Sequence, residues 1–228
     1  MTMADERVQP VHSFGDGLAV YRTGPEHAPA LEELQRIVFP TLAPEQRFAA
    51  EHYLWHVELF PDGQLCVVDR RAGDRVVGMT TTIPRDFDFD HPGHTFADVI
   101  QGGYLGAKPP TGRWLYGADL GVHPDHRRRG IARALYAARH EVVRRLGLLG
   151  QLTVGMPSGY GALKHELTAE QYYAELASGA RTDPTISAQL RIGFQLRGLI
   201  PGYIDDPVCD RYGVVLVLPA DREVRYPP

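Results

Sequence analysis

The sequence predicts a single α/β (α+β) domain, with a mixed, mostly antiparallel sheet of about six to seven strands flanked by helices. Three observations predict it. The apolar run Trp114–Val122 leads through a basic turn into a helix that begins at Gly130 and ends near Gly147. Ile131, Leu135, Ala138, Val142 and Leu146 form one apolar stripe at helical period along it. Residues 151–155 then read as a short strand, parallel to the strand before the helix by the crossover rule. Upstream, residues 65–68 and 76–83 read as an antiparallel hairpin pair joined through Gly73-Asp74.

The totals fit one domain. The chain has 228 residues, 43% of them hydrophobic and 23% charged, the balance of an ordinary globular protein. A net charge of −4 argues against nucleic acid as the main partner, because that binding depends on neutralising phosphates. Cys66 and Cys209 lie far apart inside apolar stretches, so no disulfide framework is expected and a reducing cytoplasm is the default location. No apolar segment follows the polar first residues, and no apolar run approaches the roughly 20 residues of a membrane span. The expectation is therefore no membrane partner.

In chain order, residues 1–16 are polar without period and read as a loose arm before the domain of 17–228. Leu18–Arg22 is the first expected strand. Gly24-Pro25 turns it into a helix with Leu31, Leu34, Ile37 and Val38 on its inner face, ended by Pro40. A second helix is expected from near Pro44, carrying Phe48, Tyr53, Trp55 and Leu59. After the hairpin, residues 84–113 are rich in Gly, Pro and Asp and long for a compact domain, so they read as a lid-like insertion. Beyond residue 155 a helical stretch is expected over 169–177. Asp183-Pro184 resembles an N-cap and first helical residue of a helix ending near Gly193. Strands over 195–204 and 213–218 close the chain.

The turn Arg127-Arg128-Arg129-Gly130-Ile131-Ala132 follows a strand ending in Val122-His123-Pro124 and opens a helix. The orphan N–H groups and positive dipole end of a helix N-terminus favour an anion, and arginines add charge-assisted bonds of the kind a diphosphate accepts. Neither G-x-G-x-x-G nor G-x-x-x-x-G-K-[ST] is present. The pattern Arg127-x-x-Gly130-x-Ala132 instead resembles the acyl-CoA loop of the GNAT (GCN5-related) N-acetyltransferases, and the element order extends that resemblance. Tyr116-Gly117, Pro157-Ser158-Gly159-Tyr160, residues 167–173, Asp183-Pro184, Gly193-Phe194 and Gly202-Tyr203 are similar to GNAT domains found fused to nitrilase-like carbon–nitrogen hydrolases.

The resemblance implies acetyl-CoA as co-substrate, with no metal, and direct acyl transfer to the primary amine of a small molecule or peptide. It implies that Arg127, Arg128, Arg129, Gly130, Ile131 and Ala132 hold the diphosphate. Leu120, Gly121 and Val122 would lie beside the pantetheine arm, in a slot where the parallel strands splay. An N–H near Val122 would polarise the thioester carbonyl. Tyr116 occupies the position where many relatives carry a glutamate base, and Asp119 is the only carboxylate of its strand. These two are the candidate catalytic residues. By strand alternation Tyr116, Ala118 and Leu120 share one face and Asp119 the other, unless a bulge near Leu120 re-aims it; its other reading is a bond to backbone or to an arginine of the turn. Gln189 stands where relatives often place a tyrosine acid, with Tyr160, Tyr172, Tyr173 and Tyr203 as substitutes. These departures keep a non-catalytic acyl-CoA-binding module as the alternative, and a homodimer stays open.

Two further patterns have plainer readings. His52 and His56 have metal-ligand spacing but no evident third ligand, which favours a partly buried helix face. Asp86, Asp88 and Asp90 start like a calcium loop that lacks its Gly and Glu, which favours a solvated acidic rim.

Overall fold

The computed structural model describes residues 9–228. It contains one eight-stranded sheet in the order β1-β2-β3-β4-β5-β6-β8-β7. Its strands are β1 (His12–Phe14), β2 (Leu18–Arg22), β3 (Leu65–Asp69), β4 (Arg75–Arg85), β5 (Trp114–Val122), β6 (Gly150–Gly155), β7 (Gln195–Ile200) and β8 (Gly213–Pro219). The helices are α1 (Ala28–Val38), α2 (Ala50–Leu59), α3 (Phe96–Ile100), α4 (Ile131–Leu146), α5 (Ala169–Ser178) and α6 (Ile186–Ile192). All strand neighbours are antiparallel except β5 and β6.

The motif unit forms as its residues dictate. Pro124 removes a ladder donor at the end of β5. Gly130, at φ +83°, turns the chain into α4, and Gly147, at φ +65°, ends it in the left-handed conformation that a β-carbon would resist. The apolar stripe of α4 buries Ile131, Leu135 and Ala138 against Val20, Leu65 and Val77 of the sheet. On the opposite face, Leu31 and Leu34 of α1 and Tyr53 and Leu59 of α2 pack with Cys66 and Met79. Ile186 of α6 and Tyr172 of α5 join Tyr136 of α4 over β8.

The structure corrects several expectations. Of the expected arm, residues 1–8 lie outside the described residues, but residues 12–14 form β1, paired as His12↔Val20 and Phe14↔Leu18. Its three residues are too few to carry a readable alternation, and β1 brings the strands to eight. The second helix begins at Ala50 rather than Pro44, which opens only a 3₁₀ turn over Pro44–Gln46. Part of the insertion 84–113 is structured: β4 runs on to Arg85, and α3 is capped by Thr95, whose hydroxyl accepts from the Asp98 N–H. The last helix begins at Ile186, yet Asp183 still anchors it, its carboxylate accepting from the Thr185 and Ile186 N–H groups at 2.8 Å each.

Candidate active site

β5 and β6 pair from Trp114↔Gly150 to Gly117↔Thr153 and no further. The Thr153 hydroxyl donates to the Gly117 carbonyl at 3.1 Å, closing the last rung. Beyond it β5 stays with β4 and β6 stays with β8, so the parallel pair splays as expected. The fork opens into a cavity of about 540 Å³. Leu120, Val122, Arg127 and Ala132 line it on the motif side, and Thr153, Gly155 and Gln189 on the other. Gln35, Asp119, Tyr203 and Asp206 line its inner wall.

The turn Arg127–Ala132 lies beside this fork, at the start of α4. After a 3₁₀ turn at Pro124–His126, the Arg127 N–H is spent on the Pro124 carbonyl at 3.3 Å. Arg128 and Gly130 both have positive φ. Among the described residues, the N–H groups of 128–132 have no protein acceptor, which leaves five donors at a helix N-terminus for an anion. The side chains divide. Arg127 reaches the cavity wall and Arg128 is exposed. Arg129 donates to the buried Asp69 at 3.1 Å, and His126 also faces that carboxylate at 3.3 Å. Ile131 is buried in the core and offers only its backbone. A β-carbon at Gly130 would press on Pro227 at 2.8 Å, so a neighbouring segment, as well as φ, demands glycine there. A β-carbon at Gly121 would meet Met79 and Val38.

β5 carries a bulge that changes the expected faces. Thr81 pairs with Asp119 and Thr82 with Gly117, which leaves Ala118 unpaired. The extra residue resets the alternation. Tyr116 and Asp119 therefore share a face, the one covered by α1 and α2, while Leu120 and Val122 turn toward α4. The bulge sits at Ala118, two residues before the expected place. The half-buried Asp119 accepts from the Thr81 N–H at 2.5 Å through Oδ1 and from Gln35 Nε2 at 2.6 Å through Oδ2. Burial pushes its carboxyl up to about 6, against the pull of the Thr81 and Gln35 bonds and of Arg139. Gln35 also donates to Tyr53 Oη at 2.8 Å, which holds its amide in place.

Tyr116, the other catalytic candidate, does not reach this cavity. It lines a smaller outer cleft of about 210 Å³ with His94, Asp86 and Asp98. Its hydroxyl lies 2.9 Å from His94 Nε2 and 3.1 Å from Tyr203 Oη, and burial drives its pKa well above the ordinary value. Of the substitute tyrosines, Tyr203 lines the main cavity, whereas Tyr172 donates to Asp183 at 2.8 Å and Tyr160 to the Leu167 carbonyl at 3.3 Å. Gln189 donates to Tyr136 Oη at 2.9 Å.

Sequence reasoning missed Gln35, Asp206, His94 and Arg139. A polar residue interrupting the inner stripe of α1 was a signal for Gln35. Arg139 lies within the apolar run of α4, fully buried, with Nε and Nη2 unpaired among the described residues and its guanidinium 5.1 Å from the Tyr136 ring centroid. Gly117 makes room for it, since a β-carbon there would clash with Nη2. The paired histidines are otherwise engaged: His56 meets the Gly103 carbonyl at 2.6 Å, and His52 accepts from the Ala49 N–H at 3.0 Å. No group of three or more His, Cys, Asp or Glu placed to hold a metal occurs among the described residues, nor any helix long and apolar enough to cross a membrane.

Comparison with known proteins decides what this fork belongs to. The family model described as Acetyltransferase (GNAT) family matches residues 28–164, which span α1, the hairpin, β5, the arginine-rich turn, α4 and β6. The chain belongs to the GNAT acetyltransferase family. It is 30% identical to the uncharacterized N-acetyltransferase YkwB of Bacillus subtilis (strain 168), over 82% of this chain and 81% of that protein. It is 32% identical over 81% of its length to the probable hydrolase YhcX of the same organism, of which it spans only 35%. Among solved structures, the GNAT-like decarboxylase GphF in complex with isobutyryl-CoA superposes at a TM-score of 0.71 and 21% identity, covering 88% of this chain and 98% of that one. The putative acetyltransferase yncA of Salmonella typhimurium with its cofactor acetyl-CoA gives 0.54 at 14% identity, covering 92% and 98%. Both share the GNAT fold with this chain.

Proposed function

We propose that this GNAT protein transfers an acetyl or similar acyl group from acyl-CoA to a cationic primary amine of a small molecule or peptide, by direct attack in a ternary complex. One observation carries the reading: among the described residues, five unpaired backbone N–H groups stand at the N-terminus of α4, at the mouth of a fork opened by the parting of β5 and β6. The diphosphate of coenzyme A would take those donors with Arg127 beside it. The pantetheine arm would lie along Leu120–Val122, whose edge toward β6 is free to pair with its amides.

The acceptor end is acidic. Asp119 and Asp206 both face the cavity, and Asp119 is ionised above about pH 6. We assign Asp119 to holding the ammonium of the acceptor, since its two oxygens are fixed by Thr81 and Gln35 and each keeps a lone pair. Thiol release from acetyl-CoA across a panel of amines tests this. The reading expects release with cationic amines and a raised KM for them in Asp119→Asn. Acetyl-CoA binding without thiol release for any amine would mean a protein that only binds.

A second reading draws on Arg139. Its buried guanidinium, with Nε and Nη2 unpaired among the described residues, lies over the ring of Tyr136, a cavity-lining residue, and would suit an acyl group bearing a carboxylate. Conversion of malonyl-CoA to acetyl-CoA, followed by mass, would favour decarboxylation, the activity in the name of GphF.

A further inference from the structure

Two openings lie on either side of one wall, and three side chains cross it. Tyr203 lines the main cavity, while Tyr116 and His94 line the outer cleft. Tyr203 Oη stands 3.1 Å from Tyr116 Oη, which stands 2.9 Å from His94 Nε2. A third contact fixes the direction of every proton. His94 Nδ1 lies 2.8 Å from the Pro92 carbonyl oxygen, which can only accept, so Nδ1 carries the hydrogen. In the neutral ring Nε2 is then the acceptor. The Tyr116 hydroxyl donates to it, and the Tyr203 hydroxyl donates to Tyr116. This leaves Tyr203 with free lone pairs and no free proton, so the chain is set to accept from the cavity side.

His94 is suited to end such a chain. It is half-buried, and burial lowers its pKa, keeping the ring neutral and ready for a proton. The charged and titratable groups around it are Arg85 at the end of β4, Asp86, Asp88 and His91 in the loop that follows, Asp98 on α3, and the two tyrosines. Arg85 disfavours an imidazolium, whereas Asp98 and the Pro92 carbonyl favour it.

We propose that Tyr203, Tyr116 and His94 form a proton exit that carries the proton lost by the acceptor amine from the acyl-transfer cavity to the outer acidic cleft. The proposal rests on the acyl-transfer reading above. The ammonium nitrogen gives one proton to Tyr203 Oη, Tyr203 passes its own to Tyr116, and Tyr116 passes its own to His94 Nε2. The neutral amine attacks the thioester carbon. A C–N bond forms, the C–S bond breaks, and the second nitrogen proton goes to the departing thiolate. The imidazolium then releases its proton to water, and the hydroxyls rotate back. The balance is one amide, one thiol and one proton. Tyr116 and His94 act through Tyr203 and are positioning residues in this scheme.

The test compares two acceptors with acetyl-CoA: an alkylamine, protonated at neutral pH, and hydroxylamine, which is neutral there. Tyr116→Phe and His94→Asn should each lower kcat for the alkylamine by about 100-fold with little change in KM, and leave hydroxylamine transfer unchanged. The acid limb of the alkylamine pH profile should vanish in His94→Asn, and added imidazole should restore rate. Equal losses on both acceptors, no loss on either, or a wild type active on hydroxylamine alone would overturn the exit while leaving acyl transfer standing. A wild type inactive on both acceptors would remove the acyl-transfer reading and the exit with it.

Discussion

Asp119 costs the fold stability when it is charged. Its pKa rises from the ordinary carboxylate range to about 6, so the folded protein holds a proton that the unfolded chain has already released. Its contribution is therefore unfavourable above about pH 6 and disappears below the unfolded pKa, near 4. Asp119→Asn should raise the melting temperature at pH 7–8 and leave it unchanged near pH 3.5, as chemical or thermal unfolding across that range would show. The arginines of the turn separate in the same way. Arg127→Ala should weaken coenzyme A binding, measured by calorimetry, with stability preserved. Arg129→Ala should leave affinity nearly unchanged and destabilise the fold, because Asp69 is only 4% exposed and loses a charged partner. Arg127–Ala132 were legible as a loop because glycine and arginine at that spacing have a chemistry. The division of labour among the three arginines was not, because Asp69 arrives from β3, far away in sequence. Nor was the orientation of Asp119, which depends on a single unpaired residue, Ala118.

At the scale of elements, the fork depends on what stops β5 and β6 from pairing and on what supports the far wall. That wall includes α6, whose first residues are gathered by Asp183. Its carboxylate accepts from Gly159 N–H, Tyr172 Oη, Thr185 N–H and Ile186 N–H, each at 2.8 Å. Asp183→Ala would orphan all four donors and should destabilise the protein by about 3 kcal/mol, measured by denaturant unfolding. It should also loosen the wall formed by Pro184, Thr185, Ala188 and Gln189. Elements bounded by proline and glycine were readable: β5 and α4 lie where Pro124, Gly130 and Gly147 put them. β1 and α3 were not, having three and five residues. β1 exists because β2 offers it an edge, and α3 because Thr95 and Asp98 cap each other locally.

For the whole molecule, residues remote in sequence converge only after the sheet has formed. Gln35, Asp119, Tyr203 and Asp206 meet at one cavity from α1, β5 and the segment after β7, and His94 joins them through Tyr116 and Tyr203. Single-strand patterning contains no trace of that convergence, which is why the turn before α4 was legible and the inner wall of the cavity was not. Because coenzyme A would bind only the assembled fork, it should stabilise the fold by about 2.7 kcal/mol at 100 times its Kd, and raise the melting temperature accordingly. The most direct measurement is a titration of the ¹⁵N-labelled protein with coenzyme A, following the backbone amides by NMR. The largest shifts should fall on the amides of 128–132 and on those of Leu120 and Val122. Saturable binding that left the 128–132 amides in place and moved others instead would contradict the account.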